Sequence, residues 1–510
     1  MTFHSILSGN QVRKQSEEQA SIPSFFIDLN LDQVIDAITA TKAEYDLNPF
    51  FYTQLHDIGT ILYRHEVFRD LEDQRIADFI REFARRMVLN REHHAQIDKL
   101  HYLLQKQFWI LDAVEIYCEA LHELEQKLGS GNLKSKGLRS FLEYLRKYLA
   151  SESFTALEAA VKGLKHDLAG IQYCMVIKDN SVQVRKAGTE EDYSSEVDET
   201  FRKFKDGAVK DYTVKYPDRP DMNHVEAKVL EFVSQLFPEI FARIDLFCTN
   251  ISYIDPMIRD FDREIQFYIA YLEFIDIFRS NGLAFCYPQM SEDSREISDT
   301  EAFDLALANK YRNQLTSIVT NDFYLRDKER IIVVSGPNQG GKTTFARMFG
   351  QLHYLAGLGC PVPGKQAWLF LSDNLFTHFE KEEKIQDLRG KLEDDLIRIN
   401  DILDRATSKS IIIINEILIS TTLKDAVSLS KKIMGKLIQL DLLCVWVTFI
   451  EELSTFDEKT ISMVSTIVPE NPVQRTFKIV RMPANGLSFA RAIAEKHHLT
   501  YESLKKRIGS

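Results

Sequence analysis

The sequence predicts a multidomain chain. Its first half is a long-helix, all-α core or lever domain with a small β-containing insertion, and its second half is a layered α/β domain. Three observations lead there. At 510 residues the chain is too long for one hydrophobic core. Up to about residue 281, apolar residues recur at helical spacing over unusually long stretches. After Gly282, short β-branched runs alternate with helical segments, which is the pattern of a sheet covered by helices.

Within the first half, Asn30 with Gln33 reads as a capping box opening a helix through Leu31, Val34, Ile35 and Ile38, which Asn48-Pro49 breaks. Ile76, Phe79, Ile80, Phe83 and Met87 share one face of the next helix, and Arg81, Arg85 and Arg86 lie on its solvated side. Residues 101–128 lack Pro and Gly and end at Gly129-Ser130-Gly131; a further helix is expected over 138–164. Helices so much longer than the mean of about 11–12 residues serve as levers or arms. YCMVIKDNSVQVRK, 173–186, reads as a β-hairpin turning at Asp179-Asn180. The polar stretch that follows, 187–222, is either a solvated insertion or a small tip touching a phosphate backbone; the candidate contacts are Lys178, Arg185 and Lys186 of the hairpin and Arg202, Lys203 and Lys205 of the stretch. Helices resume at His224 and break near Pro238 and Pro256.

In the second half, 331–335, 411–414, 442–447 and 476–481 read as strands, the first three continuous and β-branched as buried strands are. The expected division is 1–24 as an extension, 25–281 as the helical domain with its insertion at 165–222, 282–317 as a linker, 318–482 as the α/β domain and 483–510 as a closing helical segment.

Composition narrows the function. A net charge of −12 excludes coating of nucleic acid by bulk positive charge but leaves room for a local basic site. Six cysteines without a CxxC pair point to reduced thiols rather than a disulfide framework or zinc site. Neither a signal peptide nor a membrane span is visible, so a soluble, cytoplasmic protein is expected. Trp109, Trp368 and Trp446 are expected in cores.

The chemistry starts at SGPNQGGKTT, 335–344, which satisfies G-x-x-x-x-G-K-[ST] between a strand and a helix. Glycines let the backbone curl so that several N–H groups meet one phosphate. The candidate nucleotide contacts are Gly336, Pro337, Asn338, Gln339, Gly340, Gly341, Lys342, Thr343 and Thr344. Lys342 reaches the β/γ oxygens of ATP and Thr343 ligates Mg²⁺. A second element is expected on a neighbouring strand, and SIIIINE, 410–416, fits it. Asn415 takes the place of the usual Asp and holds Mg²⁺ through water, without charge. Glu416 is the candidate catalytic base or water-orienting group.

GPNQGGKTT resembles the P-loop of the MutS family, in which Pro-Asn follows the first Gly and a Gly pair precedes the Lys. The resemblance is specific over 318–510 and architectural upstream. It implies an ATPase domain of ABC/MutS type. Ile318 and Val319 stand where that family sandwiches adenine, with Asn321 just after. Gly390 and Lys391 (the signature region), then Ser420, Thr421, Thr422 and Asp425, stand where it faces a partner subunit. Asn485 to Ala490, Ala492, Ala494 and a helix over 501–508 resemble its dimerising helix-turn-helix. The long helices resemble its lever and clamp. What this implies is a homodimer gated by ATP and Mg²⁺ that grips duplex or branched DNA in mismatch repair or recombination-type DNA maintenance.

The departures imply retained binding and slow turnover. The chain starts almost directly with lever-like helices and shows no Phe-x-Glu reader motif ahead of them, so a shortened member without direct mismatch reading is expected. Asn415, Phe449 in place of a His, and Gly390 in place of a Ser each weaken a charge-stabilising part. The alternative is a catalytically weak, ATP-clasped dimeric scaffold for a protein partner.

Overall fold

The computed structural model describes residues 3–9, 21–178, 181–188, 222–249, 252–380, 390–468, 471–484 and 499–508. The chain divides into two compact units, one formed by 1–73, 134–140 and 263–510, the other by 74–133 and 141–262.

The second unit is helical. Its helices Gln74–Ile97 and Leu103–Ser130 run 24 and 28 residues, twice the usual length. Helices Glu152–Ala169, His224–Leu236 and Pro238–Thr249 pack with the longer of them around Leu111, Leu164, Val233, Phe241 and Ile244. The single helix expected over 138–164 is two, Lys136–Leu149 and Glu152–Ala169, because the Ser151 hydroxyl accepts from the Phe154 amide and caps a new start. Pro238 and Pro256 begin helices, where a missing N–H costs nothing. Strands Tyr173–Lys178 and Ser181–Lys186 pair antiparallel, with Tyr173 opposite Lys186 and Lys178 opposite Ser181. Arg185 and Lys186 are exposed, and Lys186 sits 4.8 Å from the Phe237 ring centre. Arg202, Lys203, Lys205 and the Lys178 side chain lie outside the described residues, as do 485–498, where the helix-turn-helix was expected. The helix Tyr501–Ile508 is described.

The first unit is built on a six-stranded sheet in the order Leu375–Phe379, Ile411–Asn415, Leu443–Val447, Ile331–Ser335, Thr460–Val468, Asn471–Arg481. The first five strands are parallel and the last is antiparallel. All residues of the three strands Ile331–Ser335, Ile411–Asn415 and Leu443–Val447 are buried, as their unbroken apolar runs require. On one face, Ile331, Val333, Ile412, Ile414 and Trp446 pack against helices Lys391–Arg405 and Leu423–Leu440. On the other lies helix Lys342–Gly357, so close that a Cβ on Gly350 would stand 2.6 Å from Ile413 Cδ1 and 2.7 Å from Leu29 Cδ1.

That last contact explains why the division expected at 281 fails. Helix Lys342–Gly357 is buried nearly all round, and its outer side is covered by the N-terminal residues. Arg347 Nε donates to the Asp28 carbonyl at 2.9 Å, and Tyr354 Oη donates to the Phe51 carbonyl at 2.7 Å. Buried Gln351 donates to the Leu29 carbonyl at 2.9 Å and to Asp304 Oδ1 at 2.8 Å, and accepts from the Leu305 amide at 2.8 Å. Residues 25–73 therefore complete the α/β unit instead of belonging with the long helices. The expected linker at 282–317 is also structured. It holds strands Phe285–Cys286, Gln289–Ser291 and Ile297–Ala302 and helix Leu305–Lys310, and two of these strands join Gln366–Phe370 and Asn321–Leu325 in a four-stranded sheet.

Three smaller expectations change. Asn30 makes no capping bond; it adopts φ 54°, the left-handed region that Asn tolerates, and turns helix Phe26–Leu29 into helix Leu31–Thr39. The strand ending in Asn415 is not the neighbour of the P-loop strand, since Leu443–Val447 lies between them. Trp446 is buried, but Trp368 is 43% exposed.

Candidate functional site: a P-loop cavity

The chain leaves the central strand at Ser335 and curls before helix Lys342–Gly357. Gly336, Gln339 and Gly341 adopt φ of 121°, 59° and 92°, so left-handed residues recur through the loop. Such a curl turns successive N–H groups toward one point, the geometry of an anion nest. Gly340 is required for space: a Cβ there would stand 2.2 Å from Ser465 Oγ and 2.9 Å from the Pro337 carbonyl. Ser465, on the adjacent strand, donates from Oγ to the Gly340 carbonyl at 2.6 Å and pins the loop. Gly340→Ala is expected to break that pin and lower nucleotide affinity at least about tenfold, because a clash with backbone cannot relax by a rotamer change; calorimetric titration with MgATP checks it, and unchanged affinity would show that the loop yields.

The Lys342 side chain folds back over the loop. Its Nζ donates to the Gly336 carbonyl at 3.0 Å, the Pro337 carbonyl at 3.3 Å and Asn338 Oδ1 at 3.1 Å, and lies 3.3 Å from Glu416 Oε1. The lysine is almost wholly buried while Glu416 is partly open. Thr343 Oγ1 donates to Asn415 Oδ1 at 3.0 Å, which brings together the two residues expected at the magnesium ion. A hydroxyl and an amide oxygen in contact at the loop's rim are donors of the hard type that Mg²⁺ and its waters accept, although Asn415 adds no charge.

Glu416 follows the strand in a left-handed turn, at φ 51°, with its amide donating to the Val447 carbonyl at 3.0 Å. Leu418 follows at φ 61°. Non-glycine residues rarely adopt such angles, and clusters of them mark sites where the fold holds a group in place.

A cavity of about 720 Å³ opens above the loop. It is lined by Asn338 to Thr344 and Glu416 and by Leu307, Tyr311, Ile318, Val319 and Phe477, the last lying against Gly341. Its volume falls in the range of small-ligand sites, and its mixed polar and apolar lining suits a phosphate chain and a planar ring. Ile318, Val319 and Asn321 all line it. The Asn321 side chain, however, is spent on the strand opposite: its Oδ1 accepts from the Ile479 amide at 2.7 Å and its Nδ2 donates to the Phe477 carbonyl at 3.4 Å. Asn321 thus places Phe477, which the sequence reading missed. Phe477 sits at φ 59° where strand pairing shifts between Ile467 opposite Arg475 and Ser465 opposite Ile479. A bulge of this kind cannot be read from TFKIV, and neither Ser465 nor Tyr311 carries a local motif.

The residues expected to face a partner subunit are divided. Gly390 is extended and precedes helix Lys391–Arg405, and Lys391 pairs with Glu380. Thr422 caps helix Leu423–Leu440: its Oγ1 accepts from the Asp425 amide at 3.3 Å and donates to Asp425 Oδ2 at 2.8 Å. Phe449 is half exposed just past strand Leu443–Val447.

A mostly parallel sheet, a glycine loop leading into a buried helix, and a cavity lined by that loop and by apolar side chains make up the architecture of a P-loop α/β domain. Residues 332–497 match the family described as MutS domain V. The DNA mismatch repair protein MutS of Thermotoga maritima is 25% identical over 247 residues, covering 47% of this chain and 29% of that protein. Endonuclease MutS2 of Thermus thermophilus is 29% identical over 190 residues, covering 37% and 25%. The DNA mismatch repair protein MutS of Fervidobacterium nodosum is 24% identical over 360 residues, covering 68% and 40%. The chain thus carries a domain similar to that of the MutS family. Its matches span less than half the length of these relatives. None of the described helices is long and apolar enough to cross a membrane.

Proposed function

We propose that this chain binds ATP with Mg²⁺ and acts as a nucleotide-gated, DNA-binding clamp in mismatch repair or recombination-type DNA maintenance, as a homodimer with slow ATP hydrolysis. One observation carries the nucleotide part: the cavity joins Lys342 and the curled loop to the apolar Leu307, Ile318, Val319 and Phe477. The names of the relatives support the DNA part.

Thr343, with Asn415 through water, would hold Mg²⁺, which supplies charge neutralisation on the β- and γ-phosphates. The rest falls to side chains. Lys342 is held over the loop by three oxygens and by Glu416. Phosphate oxygens compete with Glu416 for that ammonium. Glu416, released from it and fixed by its left-handed turn, is then free to orient a water. Asn415 contributes only a dipole where a carboxylate would contribute charge, so turnover is slow. Gly390, Lys391 and Ser420 to Asp425 would face the second subunit. Arg185 and Lys186, with Arg202, Lys203 and Lys205, would meet the DNA backbone. ATP gates the clamp only by binding the closed arrangement better than the open one.

The neutral contact between Thr343 and Asn415 favours a second reading, an ATP-clasped scaffold for a protein partner. Two measurements separate the readings. Glu416→Gln is expected to lower ATP turnover by about 10²-fold with MgATP affinity kept; equal rates would remove Glu416 from the mechanism. Binding to duplex, mismatched and branched DNA is expected to weaken steeply with salt. Failure to bind any of them at low salt, with and without ATP, would leave the scaffold.

A further inference from the structure

We infer that Asp395 is a positioning residue for Glu416: its carboxylate holds the Leu418 amide, and the buried His378 braces the Asp395 backbone carbonyl from behind. The inference rests on the reading of Glu416 as the water-orienting group.

The turn after Asn415 has to be held by something. Glu416 and Leu418 both sit in the left-handed region, and neither is glycine, so the backbone returns to ordinary angles unless its N–H groups are anchored. The Glu416 amide is anchored on the Val447 carbonyl. Leu418 is fully buried, so water does not reach its amide. Its partner is Asp395 Oδ2, at 3.4 Å. An acceptor facing a buried amide costs most when it is removed, since the N–H is then left bare.

Asp395 is itself fixed. It lies in helix Lys391–Arg405 and is 5% exposed. His378, on strand Leu375–Phe379 opposite Ile414, is wholly buried. Its Nε2 lies 3.1 Å from the Asp395 carbonyl oxygen and 3.7 Å from Asp395 Oδ1, while Nδ1 has no partner among the described residues. A single proton on Nε2, donated to the Asp395 carbonyl, satisfies this arrangement. Burial, with the nearby Arg398 charge, pulls the imidazole pKa down and keeps the ring neutral. The brace is therefore a fixed donor and a packed wall rather than a charge. It joins the helix that begins beside Gly390 to the loop that carries Glu416, so a shift of that helix start moves the catalytic loop.

The test uses the full chain and compares wild type, Asp395→Asn, Asp395→Ala, His378→Phe and Glu416→Gln. Steady-state turnover, MgATP affinity and hydrogen exchange at the Leu418 amide are measured for each. Asp395→Ala is expected to lower kcat by about 30-fold with affinity within about threefold, because a misplaced base loses most of a general base's contribution. The Leu418 amide is expected to exchange at least about tenfold faster. Asp395→Asn keeps a carbonyl acceptor and is expected to stay within about fivefold of wild type on both readouts. His378→Phe is expected to lower kcat about threefold to tenfold at unchanged affinity. An Asp395→Ala enzyme with normal kcat, an Asp395→Asn enzyme as impaired as Asp395→Ala, or a Leu418 amide whose exchange does not change would each overturn the inference. If Asp395→Ala loses its fold, normal turnover in His378→Phe or impaired turnover in Asp395→Asn overturns it instead. If Glu416→Gln turns over as fast as wild type, the reading of Glu416 fails, and the Leu418 exchange still decides whether Asp395 holds the loop.

Discussion

Lys342→Ala is expected to weaken MgATP binding by about 150-fold, the equivalent of about 3 kcal/mol. The lysine is 5% exposed and its ammonium is already positioned by three loop oxygens, so little ordering remains to be done when phosphates arrive. Charge-assisted bonds from such a buried, fixed cation are the strong kind. The alanine variant also leaves Glu416 without the cation 3.3 Å away, so a carboxylate then faces incoming phosphates unopposed. This predicts coupling between the two sites. Lys342→Ala combined with Glu416→Gln is expected to bind about tenfold more tightly than Lys342→Ala alone, because the like-charge term is gone. Lys342→Arg is expected to be no milder than alanine, since a planar fork does not fit where a compact ammonium touches two carbonyls and an amide oxygen. Fluorescence anisotropy with a labelled ATP, alongside thermal melts to confirm folding, measures all three. Affinity within threefold of wild type in Lys342→Ala would remove the cavity as the nucleotide site.

The loop lining that cavity was legible because its parts are contiguous. Gly336 to Thr344 form one short loop, and backbone curl, cation and hydroxyl all follow from local residue types. The buried strands were legible from their unbroken runs of Ile and Val. What escaped was everything decided by tertiary contact. Phe477 enters the cavity through a bulge, and Ser465 reaches Gly340 from another strand. Asp395 meets Leu418 across 23 positions. The domain boundary escaped for a related reason. Periodicity identifies residues 31–38 as a helix but cannot say which surface its apolar face covers. That surface is fixed by side chains far away, such as Gln351 and Tyr354, that satisfy the carbonyls of Leu29 and Phe51. The intervening strand Leu443–Val447 shows the same limit, since the order of strands in a sheet leaves no trace in the spacing of their apolar residues.

Asp299→Asn is expected to stabilise the α/β unit by about 3 kcal/mol at pH 7, with an advantage that grows as pH rises. Asp299 lies on strand Ile297–Ala302 and is 2% exposed, and neither carboxylate oxygen has a hydrogen-bond partner among the described residues. Gly364 closes over it: a Cβ there would stand 2.2 Å from Asp299 Oδ1, so no side chain or water fits between. Burial first, and the charge of Asp322 second, push its pKa up to about 9. In the unfolded chain the same group ionises near 3.8. Between these values the folded state holds a proton that the unfolded state has released. Stability is therefore undiminished below about pH 4, falls as pH rises toward 9, and levels off above it, by about 1.4 kcal/mol per pH unit. At pH 7 the accumulated loss is about 4 kcal/mol, of which an asparagine recovers all but the roughly 1 kcal/mol its own unpaired amide costs. Denaturant unfolding of both proteins at pH 5 and pH 8 measures this directly. The gap between them is expected to widen by about 4 kcal/mol over that interval; parallel pH profiles would mean that Asp299 is charged in the folded protein and that a counter-ion or water, rather than a proton, keeps it there.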